Sequence, residues 1–317
     1  MSVASPKKAA CKWARSSAIS SPIQKCRAST SASATSPPAS SAQPSIGRYR
    51  PQSKGPTMID KTTFTWPDNR QGAVSLTYDD ALPCHYQLVA PALEAHGLRG
   101  TFYTNILSAM AAPQDWRQVA AAGHELGNHS IFHPCRQNPE SPSTWLPEDY
   151  DLRRYSPRRW SDEMRAASFT LSLIDGKSQR SFGNTCCHTE LGEGDTSASL
   201  EPLIGELFTA GRGSWNEQTV DVASVNYQAL GHFGADAHTF EQLQLQIDQA
   251  VAAGDWIIYM IHGVGQGTHG MYMEVDQHQR LIDYLGQHQK RIWTAPLTEV
   301  ASYLKARDPE QKITTNA

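Results

Sequence analysis

The 317-residue chain has no run of eighteen apolar residues, and its longest apolar stretch, Trp256–Ile261, is only as long as a strand, so no membrane span is expected. The phosphate-cradling G-x-x-x-x-G-K-[ST] does not occur, which removes one common nucleotide-binding signature. No segment repeats at a fixed period. The six cysteines, Cys11, Cys26, Cys84, Cys135, Cys186 and Cys187, include no C-x-x-C pair and are too scattered for a disulfide scaffold. With no secretory apolar segment ahead of the folded part, they are expected to be reduced thiols of a cytoplasmic protein.

Acidic residues are missing altogether from residues 1–57, which hold nine Lys and Arg among Ser, Ala and Pro. That composition predicts a disordered basic tail, with too few large apolar side chains to offset the entropy of ordering. Its Arg and Ser content resembles an organelle transit peptide without the amphipathic period, and Met58 stands at the change of composition, as a native start would. The remaining residues carry nineteen basic side chains against all thirty-one acidic ones, a net charge of −12, which argues against a nucleic-acid surface.

With 39% hydrophobic residues overall, residues 58–317 are expected to form one catalytic domain. Strand-like segments at 72–78, 100–105, 180–183, 213–222 and 257–262 alternate with helix-like ones at 86–96, 116–122, 161–174, 200–209, 240–253, 275–289 and 297–306. Ser161, followed by Asp162 and Glu163, reads as a helix N-cap. Six to eight such β/α units point to a barrel rather than a nucleotide-binding open sheet.

In such a barrel the chemistry gathers where strands end. The first strand runs into Asp79-Asp80, two carboxylates that a turn could bring to the barrel mouth with different jobs; a plain Asp-Asp turn would look the same. His129 and His133 are four apart, so a helical segment would stack both imidazoles toward one metal ion, although twelve histidines make such a pair common by chance. A carboxylate from an earlier strand end would complete the His, His, Asp donor set of a catalytic metal site. His262 follows the apolar run and precedes two glycines within three residues, a place for either a general acid or a hydrogen-bonded structural histidine.

Taken together, these segments carry a resemblance. Thr77-Tyr-Asp-Asp80 is similar to the T-[FY]-D-D motif of the polysaccharide deacetylase family (the NodB-homology domain, carbohydrate esterase family 4), and His129-Ser-x-x-His-Pro134 to its H-[ST]-x-x-H-P motif. Ile258–His262 resembles its late strand-histidine motif, and the three occur in the family's order over roughly residues 70–305. The resemblance implies a distorted (β/α)7-type barrel that hydrolyses N- or O-acetyl groups of a carbohydrate with a divalent ion, zinc first, with cobalt, manganese or nickel as alternatives. It also implies Asp79 as general base, His262 as general acid, and Asp80, His129 and His133 as metal ligands.

The third motif departs from the family's R-x-x-P-Y type, reading Arg180–His188 with no Pro-Tyr pair, so the arginine that orients the base is unassigned. Arg212 is one replacement, a surface salt bridge being its plainer reading. Trp215–Glu217 and Thr268–Tyr272 follow expected strand ends, where an aromatic face could stack on a sugar or simply pack at the rim. A second activity on the same fold, opening a small ureide or cyclic imide, and a non-enzymatic carbohydrate-binding relic are the competing readings.

Overall fold

The computed structural model describes residues 59–213 and 215–308. The expected tail, residues 1–57, and the Met58 start lie outside the described residues. Eight parallel strands form one sheet: β1 (Gly72–Asp79), β2 (Thr101–Thr104), β3 (Glu125–Asn128), β4 (Phe182–Gly183), β5 (Gly211–Arg212), β6 (Phe233–Gly234), β7 (Trp256–Ile261) and β8 (Ile292–Thr294). Their order is β5-β4-β3-β2-β1-β7-β6. β8 pairs the first half of β1, from Gly72, and β2 pairs its second half, from Thr77 to Asp79.

Every residue of β1 and of β7 is buried, and β7 accordingly reads as a continuous apolar run instead of an alternating one. Helices such as Phe240–Ala252 and Val275–Gln287 cover the outer face with Leu243, Ile247, Leu281 and Leu285. Between the edge strands β5 and β6 the circle is completed by non-strand chain: Gly211 N–H donates to Tyr227 O (2.7 Å), and Leu230 N–H to Gly211 O (2.8 Å). This is the distorted barrel of the expected class. No helix among the described residues is long and apolar enough to cross a membrane.

Several local expectations change. The helix placed at 161–174 begins a turn earlier, at Pro157, because the Ser156 hydroxyl accepts from Arg159 N–H (3.2 Å) and Pro157 needs no donor partner at the first position. Ser161 is therefore inside the helix and buried, not its cap. The segment 213–222 is not a strand. Asn216 Oδ1 accepts from Gln218 N–H and from His232 N–H, a side-chain turn that competes with a ladder, and only Val220 bridges Trp256. The helix expected at 86–96 opens as a π-turn, His85–Val89, before Ala90–Ala95; Pro91 has no N–H to continue a regular α-ladder. The expectation of six reduced thiols fails for two of them, since Cys135 and Cys186 form a disulfide while Cys84 and Cys187 are free.

Candidate active site

Asp79, Asp80, His129, His133 and His262 all line one cleft of about 870 Å³ at the carboxyl ends of β1, β3 and β7. The five residues singled out in the sequence are thus brought together. Six of the ten non-glycine residues with positive φ among the described residues lie around this cleft: Asp80, Ala81, Ser130, His133, Cys186 and Cys187. Such backbone is costly for L-residues and persists only where surrounding structure enforces it.

His129 and His133 do not share a helix. His129 ends the β3 segment, and the chain then turns through Ser130 (φ 67°) to His133 (φ 53°), so that the imidazole centroids lie 5.0 Å apart. The turn is built by side chains: Asn128 Oδ1 accepts from Ser130 N–H, and Ser130 Oγ accepts from His133 N–H, both at 2.8 Å. Glu163, expected only as an acidic first-turn residue, is buried and accepts from Ile131 N–H and Phe132 N–H (3.2 Å each) and from the Tyr155 hydroxyl (2.9 Å). One carboxylate of the helix Pro157–Asp175 therefore holds the loop carrying both histidines.

Nε2 of His129 lies 3.5 Å, and Nε2 of His133 3.2 Å, from Asp80 Oδ1. The donor atoms of these three residues all fall within 4.8 Å of one another. His129 Nδ1 sits 2.8 Å from Gly183 O; a proton on Nδ1 donated there leaves Nε2 with its lone pair toward Asp80, the usual outer support of a metal-bound imidazole. Two imidazoles and one carboxylate with the open side in a cleft fit a divalent ion in its catalytic form. Burial would raise the Asp80 pKa, but the neighbouring His129 and His133 hold it well below the usual carboxylate range. A second grouping, His133 with Cys135 and Cys186, offers no such site because its two sulfurs are bonded to each other.

Arg212 corrects the surface reading. It is fully buried and grips both oxygens of Asp79, Nη1 donating to Oδ1 at 2.9 Å and Nη2 to Oδ2, while Nη1 also donates to Thr77 Oγ1 at 2.7 Å. Its guanidinium lies 4.9 Å from the centre of the Tyr103 ring. Room for that ring comes from Gly127 and Gly183, where a Cβ would stand 2.5 and 2.8 Å from it. Arg180, by contrast, precedes β4 and pairs with Asp175 at 3.1 Å, at the barrel's other end. Burial pushes the Asp79 carboxyl up; the Arg212 charge, with His129 and His262, outweighs this and sets it below its ordinary value.

His262 is held by a residue not singled out in the sequence. Asp236, just beyond β6, has Oδ2 2.6 Å from His262 Nδ1 and accepts the His262 backbone N–H at 3.0 Å on Oδ1. Burial lowers the His262 pKa, yet the Asp236 hydrogen bond, reinforced by the charges of Asp79 and Asp80, leaves it raised. His85, fully buried, lies 2.7 Å from the His262 carbonyl and accepts Leu82 N–H on Nδ1, so its other nitrogen carries the donated proton. His269 stacks on His262 at 5.1 Å between centroids. Trp145 and Trp215, 59% and 49% exposed, stand in the cleft wall rather than packing inside the rim.

The polysaccharide deacetylase family model matches residues 67–183. A 74-residue stretch is 32% identical to a gellan lyase from a Bacillus species; it covers 23% of this chain and only 3% of that protein. Among solved structures, a protein of Mycobacterium smegmatis assigned as a polysaccharide deacetylase shares 13% identity at TM-score 0.53, covering 77% of this chain and 93% of its own. A counterpart from Pseudomonas aeruginosa PAO1 shares 13% identity at TM-score 0.51, covering 77% and 94%. Puue allantoinase shares 15% identity at TM-score 0.51, covering 77% and 93%. Over residues 67–183 the chain is thus similar in sequence to the polysaccharide deacetylase family, and it shares the fold of the solved structures above.

Proposed function

We propose that this protein is a metal-dependent hydrolase that removes acetyl groups from an acetylated carbohydrate. The observation that carries the reading is the pairing, in one cleft beside the Asp80–His129–His133 donor set, of a carboxylate kept ionised by Arg212 with an imidazole kept basic by Asp236. These are environments that push two titratable groups toward opposite roles.

A divalent ion held by Asp80, His129 and His133 would polarise the acyl carbonyl. Asp79, ionised and fixed by two guanidinium contacts, receives the proton of the attacking water. His262 protonates the departing amine or alkoxide through Nε2, because its Nδ1 faces Asp236. Trp145 and Trp215 offer ring faces to a pyranose at the cleft wall.

A second reading keeps the residues and replaces the sugar by a small ureide or cyclic imide. It is favoured by the arginine coming from β5 rather than from the third motif, and by a likeness to Puue allantoinase equal to that of one of the deacetylases named above. Acetate release from chitooligosaccharides and acetylated xylan, with ureides and cyclic imides assayed in parallel, separates the two. Acetate release that stops on chelation and returns with zinc is the expected result, and turnover of the small amides alone would replace the first reading by the second.

A further inference from the structure

We propose that Cys187, His232 and Met260 form a second, soft-metal site in the wall of the same cleft, selective for a monovalent thiophilic ion such as copper(I). Cys187 Sγ lies 3.6 Å from His232 Nε2 and 3.6 Å from Met260 Sδ. With bonds of about 2.3 Å to sulfur and 2.0 Å to imidazole nitrogen, a three- or four-coordinate d10 ion separates sulfur from nitrogen by about 3.5 to 3.7 Å, and two sulfurs by about 3.8 to 4.0 Å. The Cys187–His232 separation matches the first range, and the Cys187–Met260 separation falls short of the second by a few tenths of an ångström, which the thioether can open about its rotatable bonds.

The chemistry of the set is distinct from that of the first cluster. A thiolate, a thioether and an imidazole are ligands that soft copper(I) takes and that hard divalent ions leave. His232 is fully buried, and its Nε2 faces the thiol. Cys187 and Met260 both line the cleft, which supplies an entry path.

Charge selects the ion's valence. Cys187 lies within electrostatic reach of both Arg212 and Asp79. On binding, the thiol proton leaves to solvent and a sulfur–copper bond forms; a monovalent ion with the thiolate is then neutral, leaving the buried Arg212–Asp79 pair balanced. A divalent ion would place one net positive charge beside a buried guanidinium. The free Cys84 is a separate, buried thiol that hydrogen-bonds with the Val264 backbone and the Thr268 side chain.

Titration of the full chain with copper(I) under anaerobic conditions, in competition with a bathocuproine chelator, tests the proposal. The expected result is one copper(I) per chain with sulfur in the X-ray absorption shell, bound at least tenfold more weakly by Cys187→Ser and by the volume-conserving Met260→Leu. Cys84→Ser and His133→Ala should bind as the parent does, and thermal melts confirm that each variant is folded. Absence of chelator-competitive binding, or copper bound as tightly by Cys187→Ser as by the parent, overturns it.

Discussion

At the scale of single residues, the site is governed by partners that neutralise or orient one another. Arg212 and Asp79 are both buried, and removing one leaves the other charge uncompensated, which costs about 3 to 5 kcal/mol in comparable buried pairs. Arg212→Met is therefore expected to lower stability by that order in urea unfolding, and a change below 1 kcal/mol would show that the pair is not buried as described. Asp236→Asn is expected to cut turnover by roughly 10- to 100-fold, shift its pH profile and leave metal content unchanged, since Asp236 touches His262 and none of the ion's donors. An unshifted profile would remove it as the partner of His262. Asp79, Asp80, His129, His133 and His262 were legible because each ends a strand or sits in a recognisable motif. Asp236 was not, because it meets His262 across two strand ends 26 residues apart, and such a pairing leaves no spacing signal. Arg212 was visible only as a residue beside a glycine-flanked strand, and its burial depends on Gly127 and Gly183 clearing space for Tyr103.

Elements determine whether those residues meet. The long buried strand β7 declares itself through an uninterrupted apolar run, whereas β5 and β6 are two residues each, shorter than any period that could reveal them. The His129–His133 pair was anticipated with the wrong geometry: the loop reaches its shape through Ser130, Asn128 and Glu163, not through helical stacking. The Cys135–Cys186 bond ties this loop, two residues past His133, to the chain after β4 across a sequence separation of 51. Closing a loop of that length restricts the unfolded chain by about 4 kcal/mol in the chain-entropy account. Cys135→Ser, or reduction, is expected to lower stability by a few kcal/mol and to weaken metal retention, while equal metal affinity in both forms would show that the loop is held by Glu163 and Ser130 alone.

Across the whole molecule, the barrel buries neutral histidines that tie its stability to pH. Burial pushes His85 and His278 down to about 4, and His278 Nε2 lies 3.0 Å from the Tyr78 hydroxyl within the core. The unfolded chain binds protons on these groups near pH 6.5 and the folded chain does not, so their contribution is fully present above pH 6.5 and is lost as the pH falls from there toward 4. Each is expected to remove on the order of 1 to 2 kcal/mol by pH 5, and His278→Gln should lose less stability than the parent between pH 7.5 and 5. The account's central claim is that one ion is held by Asp80, His129 and His133 while the adjacent Asp79 serves as base, and the two aspartates separate most directly when each is made Asn. Metal content and acetate-release rate are measured on both variants, with a thermal melt to confirm that each is folded. Asp80→Asn is predicted to arrive without metal, because a neutral amide is a far poorer donor to a dication. Asp79→Asn is predicted to be less stable, with Arg212 unpaired, to keep its metal, and to lose roughly 10²- to 10⁴-fold in rate. An Asp79→Asn protein that is metal-free, or that turns over like the parent, would contradict the account.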